Sequence, residues 1–143
     1  MFKKFFEKTE KNSDEELILI SALLIYAAKI DDNYTSNEKK IIQKALIDFG
    51  KIDQNKTDII LKKAEKKEQE SNQILEFTRE IKKHPMNFRL RIIEIIWKIV
   101  YSDGTSDNYE ASLIRRICGL LYISDKDNGI VKTKVQKLLK NIK

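Results

Sequence analysis

The chain has 143 residues, a net charge of +6, one cysteine, one proline and four glycines. That length suits one domain with a proper core. A lone cysteine excludes an internal disulfide, and lysines far outnumbering arginines disfavour the bidentate base and phosphate recognition of a specific nucleic-acid binder. No zinc spacing, glycine-rich phosphate loop or basic stripe interleaved with aromatics is present.

In chain order, Met1–Lys11 sets Phe2, Phe5 and Phe6 among lysines. This reads first as a short terminal helix tucked against the domain, and second as a basic amphipathic foot on an anionic membrane surface. Asn12-Ser13-Asp14 offers N-caps, with Glu15 and Glu16 in the favourable first turn of a long helix over Leu17–Lys29. Its apolar run is too short to span a bilayer, and no cleavable leader is visible. The expected location is cytoplasmic.

A second helix spans about Ser36 to Phe49, closed by Gly50. Asp53 or Asn55 begins a third, with Ile59, Ile60 and Leu61 apolar, followed by the mixed-sign run Lys62–Glu70, which reads as a solvated face. Ile74, Leu75, Phe77, Thr78 and Ile81 make a shorter amphipathic helix, and His84-Pro85 breaks it. His84 reads as a surface residue.

Leu90–Leu121 is the most informative stretch. Ile92, Ile93, Ile95, Ile96, Trp97, Ile99 and Val100 make a helix apolar on most sides, which belongs in the middle of a domain. It stops at Ser102-Asp103-Gly104, where glycine can take the left-handed conformation that ends helices. Asp107 and Glu110 then approximate a capping box for a helix carrying Leu113, Ile114, Ile117, Leu120 and Leu121. Cys118 lies on its apolar face and reads as a buried, inert thiol. Leu17–Phe49 repeats this design without a gap at an offset of 72 (103 − 31), matching Thr35 to Asp107 and Glu38 to Glu110. Two helix pairs about a pseudo-twofold axis follow, in an all-α bundle of seven or eight helices. Leu24, Ile96, Trp97, Val100, Ile114 and Ile117 are the expected core.

Ser124 and Asp127 start the last helix, with Val131, Val135, Leu138 and Ile142 on one side. Lys126–Lys143 holds six lysines against one aspartate. The first reading is a solvated lysine face, the second a patch for an anionic partner or membrane.

The two turns are rich in acids. Asp103, Asp107 and Glu110, with Asp31, Asp32 and Glu38 as a weaker set, present oxygens that suit a divalent cation such as calcium or magnesium. The spacing is not that of an EF-hand, and helix capping alone accounts for acids at these positions. At these residues the chain resembles the TerB-like family of tellurite-resistance proteins, especially its small stand-alone bacterial members. Those carry an Ala-Asp-Gly-x-x-Asp-x-x-Glu-like turn twice. The second copy here matches through Ser102-Asp103-Gly104, Asp107 and Glu110, followed by Leu113-Ile114-Arg115-Arg116-Ile117. The first copy departs, with Asp32 in place of glycine and Thr35 in place of the middle acid. Glu76-Phe77-Thr78-Arg79 also resembles the family's middle helix.

The resemblance covers about Leu17 to Leu139. It implies an all-helical fold, a link to tellurite or general chemical-stress resistance, and a metal site at the paired turns. The expected function is a non-enzymatic binding or scaffold module with a protein partner. The alternatives are a metal-dependent hydrolase using the acidic turns and a membrane-surface adaptor.

Overall fold

The computed structural model describes residues 2–31, 34–71, 74–103 and 108–142, with side chains for 14–30, 34–71, 74–102 and 110–140. Seven α-helices follow in order: α1 Phe2–Ala28, α2 Ser36–Gly50, α3 Gln54–Glu70, α4 Leu75–Lys82, α5 Met86–Val100, α6 Asn108–Leu120 and α7 Asp125–Ile142. Single 3-10 turns, Lys29–Asp31 and Tyr101–Asp103, extend α1 and α5. No strand occurs among the described residues, and no helix there is long and apolar enough to cross a membrane.

The fold is the expected all-α bundle, with the six expected core residues buried in one apolar cluster. Its centre is α1, which packs against α2, α3, α4 and α5. The expected separate terminal helix is instead the beginning of α1. Asn12, Ser13 and Asp14 therefore sit within a helix, where preceding carbonyls already serve the amides that a cap would satisfy.

The two halves repeat element by element. Ala28 and Val100 end the first helix of each pair, the 3-10 turns follow in register, and Ser36 and Asn108 begin the second helix, all 72 apart (100 − 28). Burial follows the same register: Leu24 with Ile96, Ile25 with Trp97, Ile42 with Ile114, and Ala45 with Ile117. The repeat also extends further than the helix pairs. Lys51 and Tyr122 are both left-handed, at φ 52° and 57°. Asp53 and Ser124 each cap the next helix, accepting from the amides of Lys56 at 2.8 Å and Asp127 at 3.1 Å. These positions are 71 apart (124 − 53), so α3 and α7 are a third matched pair after a one-residue slip. The unmatched helix is α4, which lies between the repeats in sequence and packs on α1 and α6.

Several local readings shift. The left-handed residue after α2 is Lys51, and Gly50 is the last helical residue. A Cβ at Gly50 would come within 3.2 Å of Leu17 Cδ1, a tight approach that the Leu17 side chain would have to yield to by a few tenths of an ångström. Ile59 and Leu75 face outward. On α7 the inward residues are Val131, Val135 and Leu139, while Leu138 is exposed. His84 is held rather than loose. Its ring lies against Phe88 with centroids 4.4 Å apart and planes tilted by 32°, and Nε2 lies 3.4 Å from a Glu16 carboxylate oxygen without hydrogen-bond alignment. Arg89 fastens this corner by donating to the His84 carbonyl at 3.0 Å and the Leu121 carbonyl at 2.8 Å.

Candidate functional site

The acidic turns join the helices of each pair. In the first, Thr35 is the N-cap of α2, with extended backbone at φ −80°, ψ 164°. The Glu38 amide donates to Thr35 Oγ1 at 3.1 Å, and the Thr35 amide donates to Glu38 Oε1 at 2.8 Å. That reciprocal pair is a complete capping box, which satisfies two amides the helix cannot serve itself. In the second, Ser102 ends the approach by donating to the Ile99 carbonyl at 2.7 Å. Glu110 sits in the first turn of α6 and is 7 % exposed, against 6 % for its counterpart Glu38. A buried carboxylate at the same place in both copies is uncommon, because carboxylates stay wet unless held by partners.

Of the six expected ligands, Glu38 and Glu110 have described side chains. Asp32 and Asp107 lie outside the described residues, as do the side chains of Asp31 and Asp103 and the expected caps at Gly104 and Asp107. Among the described residues, no three His, Cys, Asp or Glu side chains converge as a metal-binding group.

Two grooves show how the turns lie relative to one another. The first, about 540 Å³, is lined by Tyr26, Lys29 and Ile30 at the end of α1, Glu68 of α3, and Ser112, Leu113 and Arg116 of α6. The second, about 630 Å³, contains Lys98 and Ser102 at the end of α5, Ile41 and Lys44 of α2, and Leu139 of α7. Tyr26, Ile30, Leu113 and Arg116 map onto Lys98, Ser102, Ile41 and Lys44 at 72, and Glu68 maps onto Leu139 at 71. Each first helix therefore ends beside the second helix of the other copy. Ile30 lines a groove with Ser112, and Ser102 lines one with Asn37. The described flanks of both turns thus lie at the same end of the bundle. The first groove is bridged by a 2.9 Å ion pair between Lys29 and Glu68.

Tyr34 is a feature that reading the sequence misses. Its hydroxyl is buried with no hydrogen-bond partner among the described residues. Burial, then the nearby Glu65 and Glu38 carboxylates, push its pKa upward, so it stays a neutral phenol. Glu65 comes from α3, and nothing in the sequence signals that approach.

No curated protein and no solved structure matches the chain. The family model described as tellurite resistance protein TerB matches residues 17–132, which takes in both turns, helices α2 to α6 whole, and parts of α1 and α7. With that span covering most of its length, the chain belongs to the TerB family.

Proposed function

We propose that this protein is a non-enzymatic binding module of the chemical-stress type, whose acidic end takes a divalent cation, calcium or magnesium. The observation that carries this reading is the matched pair of buried first-turn glutamates, Glu38 and Glu110, at one end of the bundle. Four more acids, Asp31, Asp32, Asp103 and Asp107, belong to the same two turns. Like charges gathered at one end repel, and a cation relieves that repulsion. The donor set is all oxygen, as a hard cation requires. Glu38 would serve two tasks, since its Oε1 already accepts the Thr35 amide.

The nucleophile and base candidates weigh against a hydrolase. Burial pushes the Cys118 thiol up to about 12, with Asp125 adding to the effect, so it is not a thiolate at neutral pH. His84 touches Glu16, which stands twelve residues before the end of α1, or about 18 Å along the helix from the acidic end. In this reading the module is cytoplasmic, where a lone reduced cysteine is at home, and acts through a protein partner.

Thermal unfolding with millimolar calcium or magnesium tests the site. A ligand held only by the folded state stabilises it by about 2.7 kcal/mol at a hundredfold excess over Kd, so Tm should rise by several degrees. Asp103→Asn should remove most of that rise. Asp107→Ser keeps a capping oxygen and loses a carboxylate, so it should keep the basal Tm and weaken the response. An unchanged wild-type Tm with both ions would sink the cation reading and leave the acids as caps.

A further inference from the structure

Helices α3 and α7 hold matched places in the two halves, yet the fold uses their charges differently. On α3 five lysines stand against four acids, and Lys56, Lys67, Glu65 and Glu68 each meet an opposite charge from another element. On α7 five lysines stand against Asp125 and Asp127, which sit in the first turn where the helix dipole favours them. Lys134 pairs with Glu94 at 2.8 Å, and Lys132 lies over the Trp97 ring. Lys126, Lys137 and Lys140 are exposed and make no ion pair with a described residue.

Helical geometry gathers these charges on one side. Val131, Val135 and Leu139 turn inward, and a step of about 100° per residue puts Lys126, Ile130, Thr133 and Lys137 opposite them. Ile130 and Leu138 are 58 % and 41 % exposed and share one shallow hollow with Lys126, Lys134 and Lys137. Leu138 also borders the groove on α2 and α5, whose rim adds Lys44, Arg91 and Lys98 against Asp48 and the already paired Glu94. This part of the surface is net positive, with two aliphatic side chains standing among the charges.

We propose that the outer face of α7 docks on an anionic lipid bilayer, with Lys126, Lys137 and Lys140 over acidic headgroups and Ile130 and Leu138 reaching between them. Charge complementarity selects an anionic occupant, and the side-chain types select a lipid one. Lysine is a compact charge on a flexible stem, which suits a fluid layer of headgroups, whereas bidentate recognition of a structured anion favours arginine. Among the described residues no aromatic side chain lines the hollow or the adjoining groove, so nucleic-acid bases find nothing there to stack on. Exposed aliphatic side chains gain from burial at the acyl boundary and nothing from a phosphate backbone. The negative potential of a cytoplasmic leaflet attracts basic segments of this kind. This face is distinct from the acidic turns and needs no bound cation.

Co-sedimentation of the full chain with vesicles, in EDTA so that no divalent cation bridges the two, tests the docking. Vesicles with about 30 % phosphatidylserine in phosphatidylcholine should bind the protein, pure phosphatidylcholine should not, and about 0.5 M salt should release it. Each basic residue near an anionic surface is worth roughly fivefold in binding, so Lys126→Gln/Lys137→Gln should weaken it by roughly twentyfold. Ile130→Gln should weaken it severalfold with the charge unchanged. These positions are exposed, so Tm should stay near wild type in both variants. Lys62→Gln/Lys63→Gln makes the same charge change at exposed positions of α3 and should bind like wild type. No binding by wild type, an α7 double variant that binds like wild type, or equal losses from the two double variants would each overturn the proposal. Duplex DNA binding that Lys126→Gln/Lys137→Gln removes, without vesicle binding, would overturn it in favour of a nucleic acid.

Discussion

Trp97→Ala should lower the unfolding free energy by about 3–5 kcal/mol and Tm by roughly 10–20 °C. The side chain is 1 % exposed in the middle of α5. Its ring stacks on Tyr101 at 5.6 Å, lies under the Lys132 ammonium at 5.2 Å, and donates Nε1–H to Asn128 Oδ1 at 2.9 Å. Truncation therefore opens a cavity and also cuts a hydrogen bond between α5 and α7, which the Glu94–Lys134 ion pair also joins. Trp97→Phe separates the two effects. It keeps most of the packing and removes the donor, and Asn128 is half-buried, so water can replace part of the lost bond. Its cost should be nearer 1–2 kcal/mol. Urea unfolding followed by circular dichroism measures both variants, since the only tryptophan is the residue removed. A Trp97→Ala cost below about 1 kcal/mol would contradict the packing described.

Raising the pH above about 9 should progressively destabilise the bundle. The Cys118 thiol is raised from 9.0 to about 12, chiefly by burial and then by Asp125. Because the folded state holds the proton more tightly than the unfolded chain, the associated stability is fully present below about pH 9 and disappears as pH climbs towards 12. A shift of that size corresponds to on the order of 4 kcal/mol, a large part of the 5–15 kcal/mol of a typical domain. Tyr34 adds to the same trend at higher pH, because its pKa is also raised. Denaturant melts of wild type and Cys118→Ala from pH 7 to 11 isolate the cysteine. The difference between them should stay flat to about pH 9 and then fall as the wild type weakens. A parallel pair of curves throughout would show that Cys118 does not titrate from a buried place.

The strongest features were open to reading because local chemistry and tertiary environment agree in them. The near-continuous apolar surface of α5 has one physical solution, burial, and Ile93 to Val100 take it. The 72-residue register was visible because turns and caps punctuate it, and Thr35 with Glu38 closes the box that the pattern implied. The match between α3 and α7 was hidden for two reasons. A one-residue slip precedes it, and the residue types at the matched inward positions differ, Ile60 and Ala64 on one against Val131 and Val135 on the other. Lysine and glutamate dominate both sequences, so Lys62–Glu70 looked like a wet face although Glu68 reaches Lys29. Leu138 and Leu139 are adjacent, and periodicity alone does not choose between them; α5 does. At the acidic end, sequence identified the carboxylates. The influence of the Glu65 charge on the buried Tyr34 hydroxyl joins segments about thirty residues apart, for which no local signal exists.

The unequal third helices give the bundle a graded resistance to opening. Helix α3 lies along α1 with Ile60 and Leu61 fully buried, whereas α7 rests on α5 and α6 with Val135 its one fully buried apolar side chain among those described. At about 1.5–3 kcal/mol per buried side chain, α7 is held more weakly than α3 and should detach before it in sub-global unfolding. The groove wall includes Val135, Leu138 and Leu139 of that same helix. Proteolytic susceptibility should therefore be greater along α7 than along α3, and packing lost at Val135 should raise it further.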